Sequence, residues 1–423
     1  MTCTFPKIFF YKTRINFKFS QKHKIILSMN FFFLIYFISI FNVFFLTPIS
    51  VYTDIFVNVL SILGFIYFFK YKLIKIPIIK LSFYIIAVLI ISSIISSTFF
   101  IKQDIFSSII AIQHLFKGYS IIFIFKLIHD NKINLKKVFF YLTTSIWICT
   151  ILLTLASLTK FKFTFVSPIS GQELIITANK YAKDLLYFGE LFFLSKFFFT
   201  NKPINLVYVI IILISTQLYD IQRGDLIFFS LVFVISLFLF KNRIASFKLY
   251  FLLPIIAVIG FFFLNKSDSS GKINEKFSQL FLAFNEENRG KIDDSSISVR
   301  LREIEFALIG FTKHPISGNG LIRSSKQKEL IGDIYFYPVD IGLYGVLYSF
   351  GVLGIVIFLV LIYKFIKIKF SNLNYVSAGI YLFLMYSIFY SLKDGSVIFR
   401  PTQFLFCYLL IFLIENKINK IDA

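Results

Sequence analysis

The sequence is poor in the residues that build metal centres and disulfide frameworks. It holds three cysteines, Cys3, Cys149 and Cys407, which lie far apart and form no CxxC pair. This spacing indicates neither a zinc site nor a disulfide framework. No metal-binding constellation is visible, so we expect no metal and no cofactor. A P-loop and a GxSxG elbow are also missing, and an ATP-driven function is unsupported.

Acidic residues are scarce as well. Asp and Glu number 22 against 44 Lys and Arg, which gives a net charge of +22. A strongly basic chain invites a nucleic-acid partner. Here, however, the basic residues lie mostly in short clusters between apolar runs, the pattern by which membrane proteins set their orientation. We therefore predict no nucleic-acid partner.

Apolar residues, in contrast, are abundant. Hydrophobic residues make up 57% of the chain and aromatic residues 20%, with a mean hydropathy of +0.80. A soluble globular protein has roughly 45–50% apolar residues, and its helices keep a polar face. The excess here is spread along the chain in runs of about twenty residues, the length that spans a bilayer core. The sequence thus predicts an all-α polytopic membrane protein with the lipid bilayer as its partner.

The apolar runs give about a dozen predicted transmembrane helices. They are 25–47, 51–69, 78–100, 105–128, 138–158, 181–199, 204–220, 223–240, 248–264, 338–363, 374–391 and 398–415. The run at 181–199 contains Lys183, Asp184, Glu190 and Lys196, so it is predicted to face protein or water. The first run lacks a small-residue cleavage site and is expected to remain as a helix.

The distribution of Lys and Arg predicts the orientation of these spans. With the N-terminus in the cytoplasm, every inside connection is basic and both termini are cytoplasmic. The chain then divides into a nine-helix part over residues 1–264, a large outside loop over 265–337 and a three-helix part over 338–423. We expect the two helical parts to form one bundle.

The sequence pattern predicts one amphipathic helix within the large loop. Apolar residues recur at spacings of three and four, at Ile297, Leu301, Ile304, Leu308 and Phe311. Asp294 or Ser295 is a suitable N-cap, and Pro315 with the following glycines ends the helix. The predicted helix covers residues 296–313.

Arginine is distributed differently from lysine. Most lysines fall on the inside, whereas six of the eight arginines fall on the outside: Arg223, Arg289, Arg300, Arg302, Arg323 and Arg400. Because the guanidinium binds phosphate with two parallel hydrogen bonds, this bias favours a phosphate-binding role. A chance distribution of eight residues is the alternative.

Five candidate positions admit a structural alternative. Arg223 lies at a predicted membrane boundary, either in a polar cavity or as an ion-paired helix end. His314 suits a general base or a helix C-terminus. Asp340 opens the span after the loop, where it suits a base or a helix start. For Arg300 and Arg302 the alternative is a solvated helix face shared with Glu303 and Glu305.

Three stretches resemble the bacterial O-antigen polymerases of the Wzy type and the related O-antigen ligases. QRGDLI (222–227) is similar to the family's arginine-glycine turn at the outer end of a middle helix. VRLREIEFALIGFTKHPISGNGL (299–321) is similar to the loop helix and the HP-hydrophobic-x-G-x-G motif after it. VDIGLYGVLYSFGVLGIVIFLVLIY (339–363) is similar to the glycine-containing helix that follows the loop.

The resemblance implies a glycosyltransferase of the bacterial inner membrane that uses a glycan on undecaprenyl diphosphate, with the loop in the periplasm. It implies no nucleotide sugar and no metal, and it suggests a chain-length regulator protein as a partner. Arg223 matches the family's arginine, and Arg300 falls in the loop-helix match, where Arg302 is the competing alignment. The candidate catalytic residues are Arg223, Arg300 and Asp340. The candidate substrate-binding residues are Arg302, His314, Arg323 and Arg400.

One departure favours polymerase over ligase. Ligases of the family carry a His-Asn pair where the loop re-enters the membrane, whereas this chain has Pro338, Val339 and Asp340 there. The ligase, which transfers finished glycan to lipid A–core, is the second hypothesis. A flippase of lipid-linked glycan is the third; such transporters often show repeated halves, and no internal repeat is detectable here. The large outside loop is the feature that distinguishes the flippase from the two enzymes.

Overall fold

The structure is a computed structural model, and it describes most of the helical part of the chain. The described residues are 32, 34–37, 39–41, 49–70, 77–129, 135–159, 164–166, 173–175, 180–219, 223–240, 295–323, 326, 336–368, 373–394 and 396–399. The predicted span at 248–264 lies outside these residues. The predicted spans at 25–47 and 398–415 are described only in part, the latter only at residues 398 and 399.

Residues 32, 34–37, 39 and 40 are helical, and thirteen α-helices have both ends within the described residues. They are α1 (Ile49–Lys70), α2 (Pro77–Phe99), α3 (Ile105–Ala111), α4 (Gln113–Phe116), α5 (Ser120–His129), α6 (Leu135–Thr159), α7 (Lys180–Thr200), α8 (Pro203–Tyr219), α9 (Arg223–Leu239), α10 (Ser295–Lys313), α11 (Gly342–Ile366), α12 (Tyr375–Asp394) and α13 (Ser396–Phe399). Two 3₁₀ turns, Lys117–Tyr119 and Pro338–Ile341, precede α5 and α11.

Four helices are long and apolar enough to cross a membrane, at Ile79–Phe99, Lys136–Leu155, Pro338–Ile366 and Tyr375–Lys393. A fifth candidate is the bent pair Ile105–Ala111 and Gln113–Ile128, whose two parts meet at 53°. The span predicted over 105–128 corresponds to this bent pair, in which the helix breaks at Ile112. The membrane class of the prediction is supported by these helices.

A short β-ribbon joins α6 to α7, which the all-α prediction did not include. Thr164–Val166 pairs antiparallel with Glu173–Ile175, and Phe165 lies opposite Leu174. These are the only strands in the described part of the chain.

Helix α7 lies at the centre of the apolar core, between α8 and α12. Its residues from Lys183 to Ser195 are all buried, so three of the four charged residues of this span face protein, as predicted, and Lys196 is partly buried. Gly379 of α12 approaches the Cα atom of Phe192 so closely that an added Cβ would lie 2.9 Å from it. Small residues at a crossing allow such close helix packing.

The amphipathic helix predicted for the loop is α10, Ser295–Lys313. Its buried face differs from the predicted one: Glu303 and Ala307 are buried, whereas Leu308 is 40% exposed. The reason is the close packing of α10 on α11, where Gly310 meets the ring of Tyr348. Close contact favours small residues on the buried face and turns Leu308 away from it.

Candidate functional site at a broken helix

Helix α11 is interrupted at Gly351. This residue has φ 59° and ψ −153°, a conformation that belongs almost exclusively to glycine. The break frees backbone groups that would otherwise bond within the helix, and the preceding loop satisfies two of them. The N–H of Val352 donates to the carbonyl oxygen of Pro315 at 2.8 Å, and that of Leu353 donates to Ile316 at 3.2 Å.

The loop segment that follows α10 pairs with the other side of the same break. Asn319 donates its backbone N–H to the carbonyl of Tyr348 at 2.7 Å, and Gly320 donates to Ser349 at 2.9 Å. Gly318 has φ +67°, and a Cβ there would lie 2.5 Å from the backbone nitrogen of Phe350. Irregular backbone within an apolar bundle persists where another part of the protein satisfies its polar groups. The glycine spacing in HPISGNG follows from this pairing.

A row of serines on α2 holds the opposite side of the loop segment. Ser96 donates to the carbonyl of Ser317 at 3.3 Å, and Ser92 does so at 3.5 Å. The Ser93 hydroxyl accepts the backbone N–H of Leu321 at 2.8 Å. The segment is thus clamped between α2 and the broken part of α11.

A small apolar cluster separate from the main core joins these elements. Its members are Ala307, Ile322, Phe336, Ile341 and Tyr348, with Ile101, Ile304 and Phe306 packed against them. We call α10, residues 314–323 and residues 336–353 together the loop assembly. Because Ile322 and Ile341 share this cluster, their neighbours Arg323 and Asp340 belong to one end of the molecule. Asp340 itself is half-buried, in the turn that precedes α11.

Glu303 connects α10 to the start of α11. Its buried carboxylate accepts the backbone N–H of Tyr337 at 2.8 Å. Glu303 therefore does not belong to the solvated helix face that was the alternative for Arg300 and Arg302. The physical reason is that Glu303 satisfies a backbone donor 34 residues away. Arg300, Arg302 and Glu305 are exposed, which is compatible with that face and with a phosphate-binding role.

His314 lies at the end of α10, where its ring stacks on Phe100 at a centroid distance of 3.9 Å with 3° between the planes. Its backbone N–H donates to Phe311 and Gly310 in the last helical turn. His314 thereby fixes the end of the loop helix against the end of α2. The candidate substrate-binding role of this residue stays a prediction.

The arginines occupy different positions around the loop assembly. Arg300 and Arg302 are exposed on α10. Arg323 is also exposed, and its Nη1 donates to the hydroxyl of Ser107 at 3.4 Å. Arg223 is the first residue of α9, and its side chain lies outside the described residues, as does the whole of Arg400.

A series of contacts relates the start of α9 to Asp340. Phe228, in the second turn after Arg223, packs edge-on against Tyr390 of α12 at 6.0 Å. Leu392, two residues further along α12, places its carbonyl directly against Gly342. The backbone of Arg223 and the turn that holds Asp340 therefore lie at the same end of the helices.

Asp104 begins the short helix α3 beside this end. The hydroxyl of Ser107 and its backbone N–H, at 2.8 Å, hydrogen-bond the exposed carboxylate and lower its pKa below the usual value. This is an N-cap interaction. It fixes the turn that carries Lys102 and Gln103 between α2 and α3.

A second polar region lies inside the bundle. We call Lys183, Asp184 and Glu190 of α7 the buried seam. Glu190 accepts a hydrogen bond from the Thr216 hydroxyl of α8 at 3.2 Å. The rings of Tyr187 and Tyr386 pack beside this seam at 4.9 Å.

The exposed arginines of the loop assembly are the groups that could bind a charged ligand. Arg300, Arg302 and Arg323 offer planar donors suited to phosphate oxygens, and Asp340 lies in the half-buried turn that precedes α11. Among the described residues, no group of three His, Cys, Asp or Glu side chains is arranged to hold a metal ion.

Sequence reasoning missed two residues that organise this site, Gln103 and Glu303. The available signal was a polar side chain beside an apolar run, as in ISSIISSTFFIKQD (91–104). Comparison of the sequence with protein-family models and with curated proteins gives no match.

Proposed function

We propose that this protein is a membrane glycosyltransferase that joins undecaprenyl-diphosphate-linked oligosaccharide repeat units into O antigen or capsular polysaccharide. The observation that carries the proposal is the loop assembly. Two of the three stretches that resemble the polymerases, 299–321 and 339–363, pack against each other as one unit with exposed arginines beside it.

The proposal includes twelve spans with both termini cytoplasmic and the loop assembly on the periplasmic side of a bacterial inner membrane. Helix packing supports this arrangement. The end of α12 contacts the start of α11 through Leu392 and Gly342, as expected for adjacent antiparallel spans. The end of α2 contacts residues 314–323. The proposed topology assigns all of these ends to the periplasm.

In the proposed reaction, the hydroxyl of an acceptor glycan forms a bond to the anomeric carbon of the donor glycan. The bond between that carbon and the diphosphate oxygen breaks, and undecaprenyl diphosphate leaves with the bonding electrons. The hydroxyl proton passes to a base, for which Asp340 is the candidate. A carboxylate within hydrogen-bond distance of the acceptor would promote this transfer.

The arginines serve the leaving group in this proposal. Negative charge accumulates on the diphosphate as the glycosidic bond breaks, and fixed cations stabilise that charge in the transition state. Arg223 and Arg300 are assigned to this role, and Arg302, Arg323 and Arg400 to binding of the donor. Since lysine lacks the planar fork, it is a poor replacement for arginine in such a site.

An O-antigen ligase is the second candidate, because the three stretches resemble the ligases as well as the polymerases. Gene deletion followed by gel analysis of the surface polysaccharide separates the candidates. Loss of the ladder with core plus a single repeat unit supports the polymerase. Long polymer left on its lipid carrier supports the ligase. Lipid-linked single units trapped on the cytoplasmic side indicate a flippase.

An unchanged ladder, with capsule also unchanged, contradicts the proposed function. A second test uses Arg223→Ala and Arg223→Lys in the deletion strain. We expect polymer formation to fall by at least about 100-fold in Arg223→Ala, from the loss of one charge-stabilising group, and Arg223→Lys to recover only part of it. Equal amounts of protein in the membrane fraction are the required control.

A further inference from the structure

Gln103 lies in the turn between α2 and α3 with only 2% of its surface exposed. Its side-chain oxygen accepts the backbone N–H of Arg323 at 2.8 Å. Its side-chain nitrogen donates to the carbonyl of Leu321 at 3.3 Å and to the Ser108 hydroxyl at 3.1 Å. One amide thus binds both sides of the short segment that ends in Arg323.

These partners determine the orientation of the amide. The backbone nitrogen of Arg323 only donates, and the carbonyl oxygen of Leu321 only accepts. The oxygen of Gln103 must therefore face Arg323, and its nitrogen must face Leu321. No other uncharged side chain of this length offers both an acceptor and a donor in this arrangement.

The turn around Gln103 is itself anchored. The backbone N–H of Gln103 donates to the carbonyl of Ser97 at 3.0 Å. Ser97 and Ser108 share a hydrogen bond of 2.8 Å, and Ser108 donates to the carbonyl of Asp104 at 3.1 Å. The position of Gln103 at the end of α2 is therefore fixed, and its side chain binds the backbone of Leu321 and Arg323 from there.

We propose that Gln103 is a positioning residue for Arg323, which it holds at the loop assembly so that the exposed guanidinium meets the phosphates of the lipid-linked donor. This inference rests on the proposed function. The backbone of Arg323 is fixed by Gln103, and the side chain is directed by the Ser107 hydroxyl at 3.4 Å. Gln103 does not touch the donor.

A double-mutant cycle between Gln103→Ala and Arg323→Ala tests the assignment. With purified protein and lipid-linked repeat units, we expect Gln103→Ala to lower kcat/KM by between about tenfold and 100-fold, the loss typical of a misplaced binding group. In the Arg323→Ala background the same change should have no further effect. A purely structural role would lower activity equally in both backgrounds and would overturn the proposal.

Two further variants distinguish the loss of these hydrogen bonds from a general loss of folding. Gln103→Met keeps the length of the side chain but removes both hydrogen-bonding groups, and it should reproduce the effect of Gln103→Ala. Gln113→Ala is the matched control, because Gln113 is an exposed glutamine at the start of α4. Full activity of Gln103→Met would overturn the proposal.

Hydrogen exchange provides a readout that is independent of glycan transfer. In Gln103→Met, the peptide that contains Leu321 and Arg323 should exchange faster, while peptides from α12 should not change. Unchanged exchange at 321–323 would contradict the anchor. If exchange increases but even the wild-type protein transfers no glycan, the proposed function is contradicted and the anchor is supported.

Discussion

The loop assembly and the buried seam place polar groups inside an apolar bundle in two different ways. In the loop assembly the backbone itself is irregular, and the break at Gly351 is satisfied by carbonyls of Pro315 and Ile316. In the buried seam the helix is regular, and the polar groups are side chains such as Glu190, bound by Thr216.

The two regions should therefore differ in how well they tolerate substitution. A side chain in the buried seam can be replaced by another of similar size that keeps the hydrogen bond. The loop assembly has less freedom, because many of its contacts are made by the backbone and its four glycines with positive φ, at residues 318, 320, 342 and 351, leave no room for a side chain. Substitutions should therefore have larger effects in the loop assembly than in the buried seam.

The largest effect is expected for Gly351→Ala. The substitution forces a strained backbone conformation and puts a Cβ 2.5 Å from the carbonyl oxygens of Pro315 and Ile316. We expect a loss of about 3 kcal/mol in the free energy of unfolding and release of residues 315–320, measured by thermal unfolding in detergent and by limited proteolysis. Val352→Ala, at an exposed neighbouring residue, is the control. Equal stability of the two variants would show that the break is not held by this pairing.

Glu303→Ala should have the next largest effect. It leaves the backbone N–H of Tyr337 without its 2.8 Å acceptor, and a hydrogen bond to a charged group contributes about 1.5–3 kcal/mol. Glu303→Gln retains an acceptor oxygen and should lose less, and Glu305→Ala on the exposed side should lose almost nothing. Thermal unfolding midpoints of the three variants test this order. If Glu303→Ala and Glu305→Ala unfold at the same temperature, the contact with Tyr337 contributes nothing.

In the buried seam, Thr216→Val should have only a small effect. It removes the hydroxyl that donates to Glu190 at 3.2 Å while preserving the shape of the side chain. A hydrogen bond between membrane helices contributes about 0.6 kcal/mol. Thr143→Val is the matched control, since Thr143 bonds only the carbonyl of Phe139 in its own helix. A loss as large as that of Gly351→Ala would refute the difference between the two regions.

The smallest effect is expected at Asp104, and it should depend on pH. The hydrogen bonds from Ser107 lower the pKa of this carboxyl, so its stabilising contribution is present above the ordinary carboxyl pKa and is lost as the pH falls through the lowered pKa. Wild type and Asp104→Ala should therefore differ at neutral pH and converge in acid. Thermal unfolding at several pH values measures this, and a difference that grows in acid would contradict the N-cap role.

Local patterns predicted most of the described helices. Apolar runs of spanning length correspond to helices over 51–69, 78–100, 138–158, 338–363 and 374–391. The apolar spacing and Pro315 predicted the extent of α10, because the helix period and the helix end are local properties. The burial of α7 followed from the cost of placing Lys183, Asp184 and Glu190 against lipid.

The contacts of the candidate site were less accessible to sequence reasoning. The sequence left a solvated face open as one interpretation that included Glu303, because the partner of Glu303, the N–H of Tyr337, is distant in the chain. The break at Gly351 was also missed, since four glycines lie in this helix at residues 342, 345, 351 and 354 and nothing local distinguishes the one that interrupts it. The bend at Ile112 depends on packing in the same way.

The most direct test of the proposed function is a reconstituted reaction. Wild-type protein and Arg223→Ala would be inserted into liposomes with undecaprenyl-diphosphate-linked repeat units, and both the glycan length and the released undecaprenyl diphosphate would be measured. We predict longer glycans and one released lipid diphosphate per bond formed for wild type, and neither product for Arg223→Ala. Equal activity of the folded variant would contradict the role of Arg223, and no transfer by folded wild-type protein would contradict the glycosyltransferase itself.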